Sequence, residues 1–262
     1  MMPNLTTRTG KKKRNRRLFL HRKRMTDIHM HIIPGVDDGS FSVEMSMSML
    51  FMAYKQGVRE IFATPHSSAF LHDRDFVLDQ FASLKEQAEK MPLDMRLYLG
   101  CEVRCEPYAM EQTLEQLAGG ILPSMNGTGC VLTEFSTRVQ PPEALQMVSQ
   151  LKAGGWLPII AHAERYPALS DDETIEKMLD LGCRLQINTY SLEEAEETDA
   201  ERARKLLQEE KVSFFGSDAH RMNYRPPSVE GGLRYLYRHC RGEYADAVAF
   251  GNAEKYLYQM EE

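Results

Sequence analysis

No apolar run in this 262-residue sequence approaches the roughly 18 residues of a membrane-spanning helix, so no transmembrane segment is predicted. Cysteine is scarce. There are five, an odd number with no C-x-x-C spacing, which points to free thiols in a reducing cytoplasm. No GxGxxG follows the first predicted strand and no GxxxxGK[ST] occurs anywhere, so nucleotide-binding open-sheet folds lack their marker. A phosphate loop built on a nucleophilic thiol needs Arg six residues after Cys. The residues in that place are Pro107, Glu111, Ser136, Thr189 and Asp246, which excludes that chemistry.

Acid is missing from residues 1–24, which carry ten Lys or Arg. The remaining 22 basic residues face 38 acidic ones, a net of −16 over residues 25–262. An acidic body argues against a nucleic-acid-binding face on the folded domain. The basic arm around Lys11-Lys12-Lys13-Arg14 predicts a disordered extension. Its apolar run, Leu18-Phe19-Leu20, is too short for a secretory signal. The arm could touch acidic phospholipid, nucleic acid or a partner. Equally, it could be an upstream extension to a single domain that begins at Met25 and runs over 25–262. That length suffices for one α/β barrel with a full core.

What is present is a regular alternation. Short apolar strands are predicted over 26–31, 58–64, 95–99, 129–135, 157–161, 184–187 and 212–216. Amphipathic helices fall over 42–56, 74–90, 108–117, 141–153, 171–181 and 200–210, with a mostly helical tail beyond Pro227. Met45, Met49 and Met52 recur at helical spacing and predict core packing. Seven strand–helix alternations predict a parallel sheet with helical crossovers. In (β/α) barrels the catalytic residues come from the carboxyl ends of several strands.

Each predicted strand carries a polar or ligand-type residue at or just past that end: His29 and His31, His66, Glu102, Glu134, His162, Asn188, then Asp218 and His220. Residues two apart in a strand share a face, so His29 and His31 present two imidazoles together. Alone, that His-x-His also fits a polar strand end with two unrelated histidines. With Asp38 in the following acidic turn, five of the seven histidines in 25–262 join four carboxylates at one barrel mouth. His72 and His239 read as ordinary solvated residues. Nine ligands exceed one tetrahedral zinc and suit two or three divalent ions, one carboxylate bridging. Imidazole and carboxylate without thiolate suit manganese, iron or zinc. Cys101 adjoins Glu102 on the opposite strand face and is expected in the packing layer. Arg165 and Arg225 would also sit at the mouth. Each alone equally suits a surface salt bridge, but a guanidinium beside clustered metals suits an anionic, phosphate-bearing substrate.

Taken together, Asp-Ile-His-Met-His…Val-Asp-Asp-Gly (27–39), Ala-Thr-Pro-His (63–66), Leu-Gly-Cys-Glu (99–102), Glu-Phe-Ser (134–136), Ile-Ala-His-Ala-Glu-Arg-Tyr (160–166), Gln-Ile-Asn (186–188), Gly-Ser-Asp-Ala-His (216–220) and Arg-Pro-Pro (225–227) resemble the PHP (polymerase and histidinol phosphatase) superfamily of metal-dependent phosphoesterases. Within it the chain is similar to the bacterial tyrosine phosphatases of capsule and exopolysaccharide clusters, the CpsB/CapC/YwqE type. The resemblance spans 25–262. It implies a distorted TIM-like (β/α)7 barrel (the PHP fold) and three metal ions, usually manganese. One ion would take His29, His31, Glu102 and Asp218. A second would share Glu102 and add Glu134 and His162. The third would take Asp38, His66 and His220.

Arg165 and Arg225 match the phosphate-binding arginines of that family. The implied substrate is phosphotyrosine on the tail of a membrane-associated kinase, which would place a cytoplasmic enzyme at the membrane periphery. The expected reaction is direct in-line attack by metal-bound hydroxide, without a phosphoenzyme. His220 or Asp218 could protonate the leaving group. Histidinol-phosphate phosphatase, on the same fold, and a non-catalytic module that binds a phosphorylated tail are the alternatives.

Overall fold

The computed structural model describes residues 24–193 and 198–258. The basic arm expected to be disordered lies outside the described residues, apart from Arg24.

Among the described residues, eight short strands are all parallel to their neighbours: β1 (Met25–Met30), β2 (Val58–Ala63), β3 (Arg96–Leu99), β4 (Glu102–Arg104), β5 (Cys130–Glu134), β6 (Leu157–Ile160), β7 (Arg184–Asn188) and β8 (Phe214–Gly216). They pair in the order β1-β2-β3 and β4-β5-β6-β7-β8. Two seams join these sheets into a barrel. At one, the Asp218 amide donates to His29 O at 2.8 Å and the His31 amide to Ala219 O at 2.9 Å. At the other, the expected third strand is present as β3 and a further short strand, β4, follows it: the Gly100 amide still bonds Ala63 O, and the Glu102 amide bonds Pro65 O. Thus β3 pairs with β2, β4 pairs with β5, and the two together occupy one position of a seven-position barrel. Gly100 lets Met125 and Thr64 pack closely at this seam, since a Cβ there would meet Met125 Sδ at 2.6 Å and Thr64 Cγ2 at 3.0 Å.

The helices are α1 (Val43–Lys55), α2 (Ser67–Glu89), α3 (Met110–Ala118), α4 (Pro141–Ala153), α5 (Asp172–Asp180), α6 (Thr198–Gln208) and, in the tail, α7 (Glu230–His239), α8 (Gly242–Asp246) and α9 (Asn252–Tyr256). Ser42 caps α1, accepting from the Met45 amide, and Asp171 caps α5 through the Glu173 and Thr174 amides, as these residue types do. The expected helix from 74 is the second part of α2. Asp73 leaves helical geometry (φ −155°, ψ 89°) and caps that part by accepting the Phe76 amide, while an extra stretch from Ser67 precedes it. Of the methionine stripe, Met49 joins Ser46, Leu50 and Ala53 on the buried face of α1, Met45 is half-buried and packs against the core as expected, and Met52 is half-buried at its edge.

Strand residues alternate between two apolar clusters, as the period of two requires. Ile61, Val131, Ile160 and Phe215 pack outward with the helices. Ile28, Phe62, Leu132, Ile159 and Phe214 fill the barrel interior, together with Ala253 and Leu257 of the tail. Toward the carboxyl ends of the strands the buried residues turn polar: His29, His31, Glu102, Gln186 and Asn188.

Candidate metal centre

The strand ends deliver their polar side chains to one basin. His29 lies in β1 and His31 just beyond it. His66 follows β2, Glu102 opens β4, Glu134 ends β5, His162 follows β6, and Asp218 and His220 follow β8. Asp38 arrives on a tight turn after β1, closed by the Gly35 amide on Ser40 O at 2.7 Å and the Ser40 amide on His31 O at 3.0 Å. Gly39 is required there, because a Cβ would stand 2.2 Å from His31 O.

Glu102 is the hub. Its Oε1 lies 2.9 Å from His162 Nε2 and 3.3 Å from His29 Nε2. Its Oε2 lies 2.9 Å from His66 Nδ1 and 3.3 Å from His31 Nε2. Although buried, Oε2 makes no hydrogen bond of sound geometry. Asp218 Oδ1 is 3.6 Å from His29 Nε2, His31 Nε2 and His220 Nδ1. Asp38 Oδ1 reaches His66 Nε2 at 3.3 Å and His220 Nε2 at 3.6 Å, on a side chain 61% exposed. Glu134 Oε1 is 3.9 Å from His162 Nε2, while its Oε2 faces Arg104 at 3.3 Å.

Among the described residues, donor atoms therefore form four overlapping sets, each within 4.8 Å: His31, Asp38, His66 and His220; His29, His31 and Asp218; His29, Glu102 and His162; His66, Glu102 and Glu134. All nine sequence-predicted ligands are brought together. The overlaps make one continuous nest in which His29, His31, His66 and Glu102 are each shared by two sets.

The donor chemistry fits divalent cations. His29 and His31 aim Nε2 at each other, 3.3 Å apart. Their outer nitrogens are engaged: His31 Nδ1 with Asp37 Oδ2 at 2.8 Å, and His29 Nδ1 with Gln186 Oε1 at 3.2 Å. That Gln186 oxygen also accepts the His162 amide at 2.8 Å, which identifies it as the carbonyl and makes His29 Nδ1 the donor. Both imidazoles are thus held with the Nε2 lone pair facing inward, the tautomer that a metal ligand needs.

Electrostatics agree. Burial opposes charge on His29 and His31, yet Glu102 with Asp218 raises His29, and Asp37 with Glu102 raises His31 well above the ordinary imidazole value. Burial likewise opposes the Glu102 carboxylate, but the histidines around it hold it well below its usual range. Without a cation the cluster borrows positive charge from protons, a demand that a divalent ion answers directly. Burial and the charge of His31 push His220 down to about 4, leaving a neutral imidazole.

Arg165 and Arg225 converge on one atom. Asp218 Oδ2 lies 3.3 Å from Arg165 Nη1 and 3.4 Å from Arg225 Nη1, and accepts Asn188 Nδ2 at 3.1 Å. Three of the residues here hold left-handed backbone: His162 (φ 35°), Asp218 (φ 51°) and Arg225 (φ 48°). Non-glycine residues rarely adopt it, and such strain gathers at functional sites.

Cys101 is buried in the outer apolar cluster, as expected, and burial keeps its thiol protonated. His72 and His239 are exposed and away from the nest. Two residues escaped sequence reasoning. Asp37, which has no role in the sequence analysis, orients His31. Gln186 stands in the Gln-Ile-Asn stretch but is given no role there, although it sits two residues before Asn188 on β7 and strand alternation puts both on the inner face.

Comparison with known proteins accords with this geometry. The tyrosine-protein phosphatase CpsB of Streptococcus pneumoniae is 33% identical over 242 residues, covering 89% of this chain and 98% of that protein. YwqE of Bacillus subtilis, also a tyrosine-protein phosphatase, is 29% identical over 84% of this chain and 86% of its own length. A crystal structure described for YwqE from Bacillus subtilis and CpsB from Streptococcus pneumoniae, metal-dependent tyrosine phosphatases, matches with a TM-score of 0.77 at 28% identity, covering 89% of this chain and 94% of the other. An amidohydrolase from Mycoplasma synoviae shares the fold alone, with a TM-score of 0.59 at 12% identity over 91% of this chain and 89% of that one. The family model for capsular polysaccharide synthesis, CpsB/CapC, matches residues 25–258, and the chain belongs to that family.

Proposed function

We propose that the chain is a metal-dependent protein tyrosine phosphatase whose catalytic domain spans 25–262. The observation that carries this reading is the position of Asp218. One carboxylate oxygen faces His29, His31 and His220, and the other faces Arg165 and Arg225. A metal nest and a pair of guanidinium groups therefore share a wall, as hydrolysis of an anionic ester requires.

The ligand sets we assign are His29, His31, Glu102 and Asp218 for one ion, Glu102, Glu134 and His162 for a second, and Asp38, His66 and His220 for a third, with manganese preferred over iron or zinc. When bound, such ions supply a nucleophile at neutral pH and neutralise charge on the phosphoryl oxygens. Arg165 and Arg225 bind the non-bridging phosphate oxygens. Their Nη1 atoms already rest on a carboxylate oxygen that phosphate can compete with, and the planar fork suits two-point binding. Asp218 spaces the two guanidinium groups. His220 donates Nδ1–H to Asp218 O at 2.9 Å and keeps Nε2 free of a proton, so it binds rather than donates. Asp218 is held ionised by His29 and His162 against its burial and is no proton donor either. A phenolate leaving group, with a pKa near 10, needs little such help.

The substrate we assign is phosphotyrosine on the tail of a membrane-associated kinase, which would bring the enzyme to the membrane periphery. Membership of a capsular polysaccharide family supports that partner. Among the described residues no helix is long and apolar enough to cross a membrane. The test is turnover of p-nitrophenyl phosphate, a phosphotyrosine peptide and histidinol phosphate with added manganese, beside His29→Ala and Arg165→Ala. Phosphotyrosine is expected to be preferred, His29→Ala to be inactive and Arg165→Ala to lose about 100- to 1,000-fold in kcat/KM. Full activity in His29→Ala refutes the site.

A further inference from the structure

Beyond β8 the chain folds into a narrow antiparallel turn. The His220 amide donates to Arg225 O at 2.9 Å and the Arg221 amide to Tyr224 O at 3.0 Å. Arg221 Nε ties this turn to the acidic one, bonding Asp38 O at 3.0 Å and Gly39 O at 3.1 Å. The Tyr224 backbone is therefore fixed, yet its side chain is 56% exposed. Its ring stands edge-on to the His220 ring, with centroids 6.3 Å apart at 82°, and the Arg225 guanidinium lies 5.4 Å from its centroid. Among the described exposed large apolar side chains, only Tyr224 has ring contacts to both a candidate ligand and a candidate phosphate-binding arginine.

We propose that Tyr224 is a specificity-determining residue, an aromatic wall that selects aryl phosphomonoesters over alkyl ones. This rests on the phosphatase reading above and names the discriminating group within it. A phosphate held by Arg165 and Arg225 carries its ester substituent one oxygen away from phosphorus. An aryl ring in that place comes within stacking or edge-to-face range of Tyr224, whereas an alkyl chain offers no complementary face. Aromatic pairs favour such arrangements at centroid separations of about 4.5–7 Å. The fixed turn means that little ordering is needed on binding.

Calorimetric binding of phenylphosphonate and methylphosphonate to the metal-loaded full chain reads the discrimination without turnover. Tyr224→Ala should weaken phenylphosphonate about 3- to 10-fold and methylphosphonate less than about 2-fold. Tyr224→Phe, which keeps the ring, should retain the wild-type preference. Parallel kinetics on phosphotyrosine and phosphoserine peptides of one sequence should show the loss in KM for phosphotyrosine rather than in kcat. Equal weakening of both phosphonates, or of neither, overturns the assignment of Tyr224. Wild-type aryl preference without hydrolysis of any phosphate ester would instead sink the phosphatase reading and leave Tyr224 as the aryl-selecting wall of a binding site.

Discussion

Asp37 Oδ2 lies 2.8 Å from His31 Nδ1 and also accepts the His66 amide at 3.1 Å, so one buried oxygen sets an imidazole on β1 and the chain leaving β2. Its other oxygen accepts the Gly39 amide at 2.9 Å. These bonds, together with the charge of His31, hold the carboxyl at about 2 against its burial, so it stays ionised throughout the working range. Asp37 thus orients two candidate ligands, His31 and His66.

Asp37→Asn keeps the shape and removes the charge. Partners of this kind typically contribute about 10- to 100-fold in metal affinity. The variant should lose metal by that factor in a chelator-competition titration and recover activity when excess metal is added. Wild-type affinity in the variant would show that His31 needs no orienting charge.

Thiol chemistry and metal chemistry predict opposite inhibitor profiles. Burial pushes the Cys105 and Cys183 thiols up to about 12, so near pH 8 they carry almost no thiolate. Their reactivity should rise only as pH climbs toward those values, because thiolate is the reactive form. EDTA should abolish turnover, and iodoacetamide at pH 8 should leave it intact over the same period. The reverse pattern would remove the metal site from the reaction.

Arg165 and Arg225 meet on one oxygen of Asp218, so their removal should not be additive. Each Ala variant should lose about 100- to 1,000-fold in kcat/KM, the cost of removing one preorganised donor. The double variant should lose less than the product of the two. Arg165→Lys should rescue little, since a point charge does not reproduce a planar fork. A strictly multiplicative double variant would mean that the two arginines act on separate groups.

The clustering of the nine candidate ligands was legible because two short-range rules suffice for it: apolar strands of period two, and ligand-type residues at the carboxyl end of each. The same alternation puts Gln186 on the inner face with Asn188, but two residues deeper than the strand end at which ligand-type residues are sought. Other features were not written locally. Between Leu99 and Glu102 the chain changes partner, β3 pairing with β2 and β4 with β5, and no local residue pattern marks that switch. The left-handed backbone of His162, Asp218 and Arg225 runs against residue preference and is imposed by the surrounding barrel. Asp37 and Asp38 are adjacent acids in one turn. Only the closed turn decides which of them faces His31 Nδ1 and which faces the His66 and His220 rings.

Gly216, at the end of β8, tests how tightly the inner wall is built. A Cβ there would stand 2.6 Å from His29 Cβ and 2.9 Å from Gln186 Nε2. Neither can yield freely. His29 is held by Gln186 Oε1, and Gln186 Nε2 is itself bonded to Asn188 Oδ1 at 2.9 Å. Overpacking a closed interior costs about 1–3 kcal/mol. Gly216→Ala should lower the melting temperature accordingly and weaken metal binding as well, since the strain falls on a ligand and on the amide that orients it. Gly242→Ala is the matched control. Nothing lies within 4 Å of a Cβ at that position, so its stability should change by less than about 0.5 kcal/mol. If Gly216→Ala melts and binds metal as the wild type does, the inner wall is loose enough to readjust, and the orienting role given to Gln186 falls with it.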